Sequence, residues 1–111
     1  MRFTMIEEDL QTIEKAMGKI NELSAAAKPD YATIARWTVT KESHAGNIQK
    51  IVSEYFMTQR IKPDAEQYPA KLSTLHQMLI SAMKCKQTVD TAHVSKSREL
   101  AAKFNALYFG K

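Results

Sequence analysis

Three imidazoles and one thiol are the groups in this sequence best suited to hold a borderline metal or to start nucleophilic chemistry: His44, His76, His93 and Cys85. Two ligands on one helical face need a close paired spacing, three or four residues apart, and none of the four stands at such a spacing. No zinc or other metal site is expected, and no cofactor. Cys85 lies between Lys84 and Lys86, and neighbouring cations favour thiolate. Without a base partner or a resolving cysteine, it reads as an ordinary free cysteine on or beside a helix seam. Gly18, Gly46 and Gly110 are isolated, so no glycine-rich loop brings backbone amides together around a phosphate. The acidic trio Glu7, Glu8 and Asp9 reads as helix-start electrostatics rather than as a carboxylate dyad. On these grounds no catalytic site is expected.

His76 is followed by Gln77-Met78-Leu79-Ile80, where a helical phosphotransfer domain carries a Lys-Gly pair after its histidine. It reads as a structural or exposed histidine.

The elements that would position these groups are all helical. Thr4 and Glu7 have the spacing of a capping box, with Phe3 before the cap. Ile6, Leu10, Ile13, Met17 and Ile20 then recur every three or four residues, the seam of a helix running to about Ala27 and ended by Lys28-Pro29. Gly18 inside it marks either a close helix approach or a tolerated surface position. Asp30 can cap a second helix containing Ile34, Ala35 and Trp37. The β-branched run Thr38-Val39-Thr40 predicts a turn, and the helix after it would bury Ala45, Ile48, Val52 and Tyr55, with Ile51 and Phe56 widening the stripe, before fading near Arg60 ahead of Pro63. From Ala70 to Phe109 there is neither Gly nor Pro. Leu72, Leu75, Leu79 and Ala82 mark a seam whose next turn carries Lys86. Thr88-Val89-Asp90-Thr91 favours a break, with a last helix using Leu100, Phe104 and Leu107. An unbroken helix of about 40 residues, and with it an elongated coiled-coil dimer, is the alternative. The fold expected is all-α: one domain over 1–111, a compact bundle of four to five helices.

Within this text, residues 31–56 resemble the helix-turn-helix pattern in the Ile34-Ala35 pair and in Ile48 on the second helix. With Ala45, Ile48 and Val52 facing the core, His44, Asn47 and Lys50 would occupy another face, and Arg36 and Lys41 could add backbone contacts to DNA. These five residues are the candidate partner-binding or nucleic-acid-binding set. The turn lacks the usual Gly, and Glu42 and Glu54 would repel phosphate.

Charge agrees only in part with an anionic partner. The net charge of +4 conceals a negative first 30 residues and a positive remainder. The single cysteine forbids an internal disulfide and fits a reducing cytoplasm. The N-terminus, Met1-Arg2-Phe3 running into acidic residues, is unlike a signal peptide, and no apolar run is long enough for a membrane span. The sequence therefore predicts a cytoplasmic, non-catalytic regulatory or interaction protein that binds a protein partner or itself through a helical surface. DNA binding is the alternative. No small-molecule substrate and no membrane association are expected.

Overall fold

In a computed structural model, described here over residues 2–110, four helices form an all-α bundle, and 83% of the described residues are helical, with no strand among them. Met1 and Lys111, which enter the N-terminal run and the charge balance above, lie outside the described residues.

The first helix, α1, spans Arg2–Ser24. It begins ahead of the expected Thr4 cap, so Phe3 and Thr4 are already helical and the capping box is not its start. The seam itself is as the spacing predicts: Ile6, Leu10, Ile13, Met17 and Ile20 are all buried. A Cβ added at Gly18 would meet nothing within 4 Å. The glycine therefore marks no close helix approach.

Asp30 caps α2 (Tyr31–Lys50), its carboxylate accepting from the backbone N–H of Thr33 at 3.2 Å and from the Thr33 hydroxyl at 2.7 Å. The helix then runs straight through Thr38-Val39-Thr40, where a turn was expected. The hydroxyls of Thr38 and Thr40 donate to the carbonyls of Ile34 and Arg36 one turn back, which ties both threonines into the helix rather than against it. A weak propensity summed over three residues is overruled by Lys41, Ala45 and Ile48, which α2 buries on one face. The chain continues without interruption into a π-helical stretch, Ile51–Arg60. There the backbone N–H of Ile61 reaches the carbonyl of Phe56, and the Thr58 hydroxyl that of Ser53, both five residues back. Residues 31–60 are thus one rod, and the helix-turn-helix reading of 31–56 fails: there is no second helix to set at an angle to the first.

Gln67, left-handed at φ 58°, precedes α3 (Tyr68–Gln87), which carries Pro69 in its first turn. The break expected near Asp90 is present. Thr88 leaves the helix in extended conformation, and α4 covers Ala92–Tyr108. The Asp90 carboxylate accepts from the N–H of Ala92 at 2.9 Å, closing the turn.

The bundle measures 56 × 21 × 20 Å. Its core joins the α1 seam to Ala45, Ile48, Ile51, Val52 and Phe56, to Leu75, Met78 and Ala82 of α3, and to Val94, Leu100 and Phe104 of α4. At one end Phe3, Phe56, Phe104 and Tyr108 pack with ring centroids 4.9–6.2 Å apart. No described helix is long and apolar enough to cross a membrane.

Candidate functional site

Two polar clusters lie where α2 meets its neighbours. In the first, Asp9 of α1 faces α2. Its Oδ1 is 2.7 Å from Nδ1 of His44 and 3.5 Å from Nδ2 of Asn47. Asp9 is buried, with its side chain 11% exposed against 35% for His44. Helical spacing explains the placement: Asp9 stands three residues after Ile6 and four before Ile13, on the buried seam of α1. Beside the pair an open groove is lined by Met5, Glu8, Asp9, Asn47, Lys50 and Ile51.

The second cluster is buried deeper. Lys41 is 3% exposed. Its ammonium donates to the carbonyl oxygens of Lys86 at 2.6 Å and of Thr88 at 2.9 Å, at the C-terminal end of α3. Those carbonyls lack intrahelical partners, and the helix dipole places partial negative charge there. Burial pushes the Lys41 ammonium below its ordinary pKa, while Glu42 and Cys85 draw it back up. Cys85 is itself fully buried. Burial raises its thiol pKa, against the opposing pull of the Ser97 hydroxyl and the Lys41 ammonium. Ser97 also pairs with Ser81 across α3 and α4, and the Ser81 hydroxyl reaches the His93 carbonyl at 3.3 Å. The activation of Cys85 that its flanking lysines suggest is therefore outweighed by desolvation.

The five residues singled out in the sequence do not share one exposed face. Arg36, Asn47 and Lys50 are exposed on α2, and His44 is half-buried. His44 and Asn47 turn toward Asp9. Lys41 is inside, and its expected role in a backbone contact is corrected by the two carbonyls that hold it. A signal for Lys41 was available, since four residues before Ala45 and seven before Ile48 is the same helical face. Asp9 was legible in the same way from the α1 seam, but its partner, 35 residues away, was not.

The donors for a transition metal are scattered. His76 is exposed on α3 beside Met57, Tyr68 and Leu72. It precedes Cys85 by nine residues, which on an α-helix is half a turn out of phase and about 13 Å along the axis. His93 lies against a separate groove with Ile80, Lys84 and Lys96. His44 is engaged with Asp9. Among the described residues no three His, Cys, Asp or Glu side chains converge on one point.

Fold and surface together define an all-α bundle with an apolar interior, one buried ammonium between two helices, and one carboxylate–imidazole pair beside a shallow groove. The chain belongs to the nickel-containing superoxide dismutase family, whose sequence model matches residues 2–111. No curated protein and no solved structure matches it. Family membership overturns several expectations. The chain was expected to be a non-catalytic regulatory or interaction protein, with DNA binding as the alternative, and without a small-molecule substrate or cofactor. Its family is one of enzymes, with superoxide as substrate and nickel as metal. The expectation failed because it rested on missing motifs alone.

Nickel is not matched by the donors these residues present. A nickel(II) site of nitrogen and oxygen ligands is square-planar or tetragonal and needs several convergent donors. The Asp9–His44 pair brings two. A thiolate site needs a deprotonated sulfur, and Cys85 holds its proton inside the α3–α4 interface.

Proposed function

We propose that this protein serves superoxide dismutation, as the helical body of a dismutase of the nickel-containing family. The observation that carries the reading is the family match, which runs from residue 2 to residue 111 and so takes in all four helices. In the overall reaction two superoxide anions and two protons give one dioxygen and one hydrogen peroxide. One anion is oxidised and the other reduced, so a centre that accepts and returns a single electron is required. Residues 2–110 supply a frame and a field for such a centre rather than the centre itself. The frame is the four-helix core. The field is the excess of positive charge, +4 over the full sequence, which favours the approach of a small anion and weakens as salt is added.

The test is made on the protein isolated from its own cells. Its metal content is measured, and superoxide decay is followed by its ultraviolet absorbance after rapid generation. Nickel in the preparation, with decay faster than the spontaneous rate and slowed by chelation, is the expected result. Decay at the spontaneous rate overturns the reading.

A further inference from the structure

We infer that residues 2–110 form no nickel centre of their own: the bundle is built without the metal. The inference goes beyond the family match, which concerns the chain as a whole and says nothing about which atoms hold a metal.

Each candidate donor is either committed or set apart from the others. The sulfur most suited to a soft or borderline metal is the Cys85 thiol, and it is sealed at 0% exposure. To bind nickel there, the thiol must lose a proton that burial makes it retain and give up its contact with the Ser97 hydroxyl, which itself pairs with Ser81. The cation that acts on that sulfur is the Lys41 ammonium, fixed by two carbonyls. A divalent ion beside it would face a positive charge that cannot swing away. His76 is excluded as a co-ligand by its half-turn offset on the same helix.

The oxygen and nitrogen donors fare no better. The His44 nitrogen that points into the bundle already spends its bond on Asp9. The groove next to them adds Glu8 but also Lys50, whose ammonium opposes a cation there. The buried side-chain polar atoms of the described residues all have hydrogen-bond partners. A vacant metal site held by protein ligands would leave buried donors unpartnered, and none is left.

The experiment uses the untagged 111-residue chain, titrated with nickel(II) chloride and then desalted. Metal retention, sulfur-to-nickel charge-transfer absorption and the thermal midpoint are read on the same samples. The expected result is no retained nickel, no charge-transfer band and an unchanged midpoint, because a ligand that does not bind the native state cannot stabilise it. Weak nickel uptake that is lost on desalting, without a shift in the midpoint, equally supports the inference. One nickel retained per chain and lost with Cys85→Ser, with Cys85→Ala or with His44→Ala overturns it, whereas nickel that all three variants keep supports it. Circular dichroism on each variant verifies that the helices are intact. An inactive native protein with this binding result would remove the dismutase reading and leave the inference standing. A desalted chain that keeps nickel, loses it in one of these variants and dismutates superoxide would do the reverse.

Discussion

Cys85 keeps its proton because the folded chain withdraws it from water, and this has a measurable consequence for stability. Its folded-state pKa is raised above the ordinary thiol value of 9.0 by burial, the largest of its causes. Above that pH the unfolded chain loses the thiol proton first, while the folded chain retains it. Stability from this group is therefore fully present below pH 9.0 and falls as the pH rises through the folded-state value. Urea unfolding of the wild type and of Cys85→Ala on both sides of pH 9.0 isolates the effect. The advantage of the wild type should shrink above pH 9.0, and a constant difference would show that the thiol is not desolvated. Lys41 acts in the opposite sense. Its lowered pKa means that the fold binds its proton less well than the unfolded chain does, so its contribution improves with pH in the window just below 10.5. Lys41→Met removes that burden but strands the carbonyls of Lys86 and Thr88. The stranded acceptors should dominate, with a net loss of about 1–3 kcal/mol in chemical denaturation.

Helices were legible wherever apolar spacing carried the information, and were misread where local propensity was allowed to decide. The α1 seam and the break at Thr88–Thr91 follow from periodicity and from cap chemistry, both properties of neighbouring residues. The continuity of α2 through Thr38–Thr40 does not. It depends on the face formed by Lys41, Ala45 and Ile48, one member of which is a lysine whose partners lie 45 and 47 residues away. A buried charge satisfied by another helix's end leaves no trace in hydropathy. The same reasoning separates the two meanings of Gly18. A glycine needed for close approach resists substitution, whereas one facing open space only weakens its helix. Because nothing lies within 4 Å of the position a Cβ would take, Gly18→Ala should stabilise the protein by about 1 kcal/mol, read as a higher thermal midpoint with unchanged helical content.

The bundle as a whole is closed by residues that are distant in sequence. Arg98 of α4 reaches Glu7 at 3.0 Å and Glu14 at 3.1 Å on α1, and the exposure of these side chains keeps the stabilisation they give small. The aromatic end contributes more. Phe56 is 1% exposed and touches Phe3, Phe104 and Tyr108, so it joins the start of α1, the π-helical end of the 31–60 rod and the last turns of α4. Its burial was foreseeable from the stripe Val52–Phe56, but its partners were not, since Phe3 and Phe104 lie 53 and 48 residues away in the sequence. Phe56→Ala removes a ring from the junction of three helices and leaves a cavity that rigid neighbours fill only in part. The cost should be about 3–5 kcal/mol, a large share of the roughly 5–15 kcal/mol that holds a small domain folded. The urea midpoint should fall sharply while the denaturant dependence stays unchanged, because the same surface is exposed when the whole bundle unfolds. A second, separate transition would show instead that the aromatic end unfolds on its own. The bundle would then be two cooperative units, with the polar clusters around Asp9 and Lys41 in the other one.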